Sequence, residues 1–178
     1  MEVYAAYKIC LFGEGGVGKT ALTRRFLTGL FDLDTKMTMG ASIYVKYVEL
    51  AEKKIALQIW DFGGEEQFKF LLPVYSHGSA AAIFMVDISR YTTIKNIDDW
   101  LKFFDEGLQE GEKSVPILLV GGKSDLEEKR AIPKQKGTEI CKEHNLLDYI
   151  ECSAKTGENV EEVFEILVKE IGKRKGII

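Results

Sequence analysis

Three cysteines and two histidines are all that this 178-residue chain could offer a soft metal, and no two cysteines stand close in sequence. That excludes the paired-cysteine spacing of a zinc site and any disulfide framework. Cys10, Cys141 and Cys152 fall inside strand or helix patterns and read as buried thiols of a reducing compartment. Basic charge is also scarce. The formal net charge is −4, which argues against a nucleic-acid binder with its basic face. The one basic cluster, Lys173-Arg174-Lys175, reads as charge complementing the end of the last helix. No apolar run approaches the length of a membrane span. The start, Met1-Glu2-Val3-Tyr4, lacks the parts of a signal peptide, Glu2 is not the glycine of a myristoylation signal, and no cysteine follows Cys152. The expectation is a cytoplasmic monomer with no intrinsic membrane anchor.

What is present is an alternation of apolar runs and helical patterns. Strands are predicted at 7–12, 42–50, 55–61, 80–87, 115–121 and 148–152, and helices at 19–28, 67–76, 92–107, 133–143 and 160–172. The runs 80–87 and 115–121 are nearly all apolar, as strands covered on both faces are. The run 42–50 alternates, which suits a sheet edge, and the short polar turn at 51–54 makes it half of an antiparallel hairpin. The rest reads as βα units. The expected fold is one α/β domain over 1–178, an open, mostly parallel six-stranded sheet with one antiparallel edge strand and helices on both faces. Ligands of such sheets sit at the carboxyl ends of the strands.

At the first of these ends stands Gly13-Glu14-Gly15-Gly16-Val17-Gly18-Lys19-Thr20, between the apolar run at 7–12 and a helical pattern entered through Ala21. Strand, Gly-rich turn with Lys-Thr and helix is the context of a phosphate-binding P-loop. Glycines let successive backbone N–H groups converge on a polyphosphate, and the helix adds its positive end. Lys19 would reach the β- and γ-phosphates, and the Thr20 hydroxyl would ligate Mg²⁺.

The third strand ends in Trp60-Asp61-Phe62-Gly63-Gly64-Glu65-Glu66. A carboxylate at a strand end followed by two glycines suits a ligand aimed at Mg²⁺, with the Gly64 N–H offered to a γ-phosphate. Asp-Phe-Gly also occurs in protein kinases, but their glycine-loop spacing and catalytic loop are missing and the chain is too short. Lys123-Ser124-Asp125 follows the fifth strand and Ser153-Ala154-Lys155 the sixth. Each is weak alone; in this order, after successive strands and behind a P-loop, they form a set.

That set resembles a Ras-superfamily small GTPase, closest in style to the Rab branch, over about residues 7–172. The stretch from Glu151 to Phe164 is very similar to Rab-like chains. The resemblance implies GTP/GDP and Mg²⁺ as ligands, with Thr20, Thr38 and Asp61 holding the metal. It implies that Asp125 reads guanine N1–H and its 2-amino group, that the Ala154 N–H meets guanine O6, and that the stems of Lys123 and Lys155 cover base and ribose. Phe31 would pack on the base edge or, alternatively, in the core; Thr35 is the rival to Thr38. Lys19, Gly64 and Glu65 would form the hydrolytic group. Effector and regulatory proteins would read loops at about 33–48 and 62–78, where Met37, Met39, Phe68, Phe70 and Leu71 are candidate contacts or core residues. Arg24 and Arg25 lie on the first helix, so a partner would lend the catalytic arginine.

Three departures stand out. Gly122 replaces the family's asparagine, whose carboxamide touches the base and ties its loop to the P-loop. Phe62-Gly63 replaces Thr-Ala, which suggests a branch outside typical eukaryotic Rabs, of archaeal type. Glu65 replaces the glutamine that orients the attacking water, which sets a GTP-binding scaffold with little hydrolysis beside the hydrolysing switch.

Overall fold

The computed structural model describes residues 2–33, 36–112 and 114–178. Its centre is one six-stranded sheet built from β1 (Val3–Phe12), β2 (Ala41–Leu50), β3 (Lys53–Phe62), β4 (Ala81–Asp87), β5 (Ile117–Gly122) and β6 (Asp148–Glu151), in the spatial order β2-β3-β1-β4-β5-β6. Every pairing is parallel except β2 with β3, which form the expected hairpin at the edge. Ala51 and Glu52 turn that hairpin with positive φ of 50° and 61°, the mirror-image turn geometry whose twist matches the strands.

The helices are α1 (Lys19–Thr28), α2 (Leu72–Ser76), α3 (Thr92–Lys95), α4 (Ile97–Glu106), α5 (Lys134–Glu143) and α6 (Val160–Arg174). Alternate strand residues feed two separate cores. Ile9, Leu11, Leu57, Ile59 and Ile83 pack under α1 and α6, where Phe26 stacks on Phe164 at 3.8 Å. Cys10, Phe12, Phe84 and Val86 face the opposite way, onto α4 and α5, and Phe12 stacks on Phe104 at 4.8 Å. Each such buried ring contributes about 1.5–3 kcal/mol. Leu11 and Phe12 are the last strand residues before the Gly-rich turn, so both cores fix where that turn starts.

Two helical expectations change. The stretch 67–76 is a 3₁₀ helix, Glu66–Leu71, followed by one turn of α-helix. Pro73, with no N–H to give, opens that α turn. The stretch 92–107 breaks at Asn96, whose ψ of 26° separates α3 from α4. The residues after Lys123 form a further 3₁₀ helix, Ser124–Lys129. Among the described residues no helix is long and apolar enough to cross a membrane.

Candidate functional site

At the carboxyl ends of β1, β3, β5 and β6 lies a cleft of about 380 Å³, lined by Gly15–Ala21, Phe31, Thr38, Phe62–Glu65, Met85, Lys123, Asp125, Ala154 and Lys155 among others. Most sequence-predicted residues thus converge, from segments more than a hundred positions apart; Gly13, Glu14, Asp61 and Ser153 do not line the cleft but bond to Lys19, Thr20 and Asp125, which do. Phe31 lines the cleft and belongs to neither core cluster. Thr35 lies outside the described residues.

The phosphate end is densely pre-wired. Gly13, Gly16 and Gly18 take φ of 137°, 73° and 106°, where a side chain would be strained. Lys19 is buried, and its Nζ donates to the carbonyls of Gly13 (2.8 Å) and Glu14 (2.7 Å). Burial pulls its pKa down to about 8, against the raising influence of Asp61. Gly64 packs on the P-loop backbone itself: a Cβ there would stand 2.2 Å from the Gly13 carbonyl oxygen. Its place in the sequence motif is a requirement of close approach.

Thr20 Oγ1 donates to Asp61 Oδ2 at 2.5 Å and lies 2.7 Å from Thr38 Oγ1, so three candidate metal ligands already touch. Asp61 is fully buried, and its other oxygen, Oδ1, has no hydrogen-bond partner. Burial raises its pKa, partly offset by the Thr20 hydrogen bond and by Lys19. A buried, half-satisfied carboxylate with two hydroxyls around it is a donor set of hard oxygens, which fits Mg²⁺; a divalent cation there would offset the cost of burying the charge.

The base end is more open. Asp125 is exposed, and its Oδ1 accepts from the buried Ser153 hydroxyl at 2.7 Å. Ser153 Oγ also caps the Thr156 N–H. The serine therefore orients Asp125 from below. Lys123 takes a left-handed φ of 64° and sends its Nζ to the Gly16 carbonyl at 2.8 Å.

Sequence reasoning missed four residues at this site. Asp87, at the end of β4, is buried, and its carboxylate is saturated. Oδ1 accepts from the Ser89 N–H (2.9 Å) and hydroxyl (2.6 Å), while Oδ2 accepts from Arg90 Nε (3.1 Å) and Lys123 Nζ (2.8 Å). Burial opposes the charge, but the bonds from Lys123 and Ser89 outweigh it and hold the carboxyl below its usual range. Arg90 reaches on to the Gly15 carbonyl at 3.0 Å. Met85, also buried, brings its methyl into the space beside Gly122, where a Cβ would stand 2.4 Å away from it. Gln67 donates its amide to the Glu65 carboxylate. An Asp ending an all-apolar strand was the one available signal.

The candidate partner residues divide. Met37, Met39 and Phe70 are exposed, whereas Phe68 and Leu71 pack against the core under α4. Arg24 pairs with Asp32 at 3.0 Å and Arg25 donates to the Thr156 carbonyl at 3.3 Å, so both are engaged away from the P-loop.

Comparison with known proteins agrees with this geometry. The sequence model of the Ras family matches residues 8–173. The Ras-related protein RABC1 of Arabidopsis thaliana is 40% identical over 166 residues, covering 93% of this chain and 76% of its own. The Ras-related protein Rab-13 of Canis lupus familiaris is 36% identical over 175 residues, covering 96% of this chain and 84% of its own. The Ras-related protein rab-11.1 of Caenorhabditis elegans is 35% identical over 167 residues, covering 94% of this chain and 77% of its own. On a family match over most of its length and kinship of this extent, the chain belongs to the Ras family of small GTPases and is Rab-like within it.

Proposed function

We propose the following division of labour for this GTP-binding switch and GTPase, which takes GTP or GDP with Mg²⁺. Lys19 and the N–H groups of 13–20 hold the phosphates. Thr20, Thr38 and Asp61 hold Mg²⁺, which supplies charge neutralisation on the phosphate oxygens. Asp125, with the Ala154 N–H and the stems of Lys123 and Lys155, selects guanine. Thr38 and Gly64 report the γ-phosphate, and their loops order and release with it. The observation that carries this reading is the Thr38–Thr20–Asp61 contact: it joins the loop before β2, the P-loop and the end of β3 at one point, where a metal and a phosphate would meet.

Glu65 orients the attacking water. Its carboxylate accepts a hydrogen bond from water as a glutamine carbonyl does, and the Gln67 amide holds it in place. Hydrolysis is slow because the arginine that neutralises the transferring phosphoryl comes from a partner.

The unit is a monomeric, cytoplasmic G domain over 1–178, in keeping with its single sheet and its three buried, unpaired cysteines. Effector and regulatory proteins read the exposed Met37, Met39 and Phe70 beside the cleft.

Hydrogen exchange of the GDP-bound protein against a complex with a non-hydrolysable GTP analogue tests the switch. The analogue should slow exchange at 36–40 and 63–66 and leave β4 and β5 unchanged. Identical exchange in both states would remove the switch reading.

A further inference from the structure

We propose that Arg90, oriented by Asp87, is a positioning residue for bound nucleotide: it holds the outer side of the P-loop and takes over the tie that the family makes with the carboxamide missing at Gly122. The inference rests on the P-loop holding the nucleotide's phosphates.

Two cations grip two consecutive P-loop carbonyls. Arg90 Nη2 donates to the Gly15 oxygen at 3.0 Å, and Lys123 Nζ donates to the Gly16 oxygen at 2.8 Å. Both arms converge on one buried carboxylate oxygen, Asp87 Oδ2. In a planar trans peptide the C=O and the next N–H point in opposite directions. Drawing the Gly15 and Gly16 carbonyls outward therefore turns the Gly16 and Val17 N–H groups toward the phosphate site. Lys19 grips the Gly13 and Glu14 carbonyls from the inner side. The loop is thus held from both sides, by three cations on four successive carbonyls.

The position of Met85 explains why the clamp is needed. A Cβ on Gly122 would stand 2.4 Å from the Met85 methyl and 3.0 Å from the Val17 carbonyl oxygen. The thioether occupies the space where a larger residue at 122 would begin, so an apolar side chain fills the gap and supplies no hydrogen bond. The polar link between the strand ends and the P-loop has moved one strand over, to the end of β4. Asp87 makes it specific: Ser89 saturates one of its oxygens, and only the two cations share the other. Arg90 itself is 42% exposed and does not line the cleft, so its action on nucleotide passes through the loop it holds.

Release of a fluorescent GDP analogue from wild type, Arg90→Ala, Arg90→Lys and a remote control, Arg174→Ala, tests the proposal. Arg90→Ala should release nucleotide about three- to tenfold faster, the size of one partly exposed charge-assisted hydrogen bond. Arg90→Lys keeps a cationic donor and should fall between Arg90→Ala and wild type. Arg174→Ala should match wild type. A release rate within twofold of wild type in Arg90→Ala overturns the proposal, as does an acceleration that Arg90→Lys leaves undiminished. A lower melting temperature without faster release would place Arg90 in the fold alone and also overturns it. Failure of wild type to bind the analogue would remove the nucleotide reading itself, and this proposal with it.

Discussion

The two ends of the nucleotide cleft are built differently. At the phosphate end most polar groups are already engaged: Lys19 with two carbonyls, Thr20 with Asp61 and Thr38, Gly64 against the P-loop backbone, while Asp61 Oδ1 waits without a partner. At the base end Asp125 is open to solvent and leans on one hydroxyl, that of Ser153, while Gly122 contributes no side chain. Both ends carry departures from the family: Phe62-Gly63 and Glu65 beside the P-loop, and Gly122 behind the base-reading loop. On the proposed roles, affinity is concentrated where charge meets phosphate, and selectivity rests on few groups.

The largest effect should come from the sparse end, because a base that covers the Asp125 carboxylate and leaves it unpaired is strongly rejected. ADP should bind at least about 10³-fold more weakly than GDP in a titration with Mg²⁺. Asp125→Asn should lose GDP and gain xanthine nucleotide. Comparable affinities for ADP and GDP would show that Asp125 does not read the base.

Next comes the dense end. Lys19→Ala removes the buried cation that faces the phosphates and should lower GDP affinity by about two to three orders of magnitude. Its circular dichroism should stay that of a folded chain. An affinity within tenfold of wild type would mean that backbone N–H groups alone hold the phosphates.

What could be read in the sequence follows the same division. That the Gly-rich loop, Asp61, Asp125 and 153–155 come together was legible because each belongs to a short motif placed after a successive strand. The hairpin and the buried parallel strands were legible from period and composition. The split of 66–76 into a 3₁₀ turn and an α turn was not, since apolar spacing does not separate the two geometries and Pro73 suits the first turn of either. Asp87 left only its place at the end of an apolar strand as a signal, and Arg90 left none. Arg90 meets Gly15 across 75 residues, and only the placing of β4 beside β1 brings them together.

A smaller effect would sharpen the base end. Against Met85→Val, which frees the space beside position 122, adding Gly122→Asn should slow GDP release by about two- to threefold, one neutral hydrogen bond's worth at most. In the Met85 background the same substitution should bring a smaller gain, because the methyl must first swing aside for its Cβ. Equal slowing in both backgrounds would show that Met85 does not control that space.

Glu65 follows Gly64 at the phosphate end, and hydrolysis is the claim on which the switch depends. Single-turnover GTP hydrolysis by wild type, Glu65→Ala and Glu65→Gln, with Glu66→Ala as control, measures it directly. Wild type should turn over at roughly 10⁻⁴–10⁻² s⁻¹, as a Ras-like enzyme without a partner's arginine does. Glu65→Ala should fall about tenfold or more below it with GTP affinity unchanged, while Glu65→Gln and Glu66→Ala retain activity. Turnover in Glu65→Ala as fast as wild type would show that another group orients the water, and no turnover in wild type would leave a GTP-binding scaffold in place of a switch.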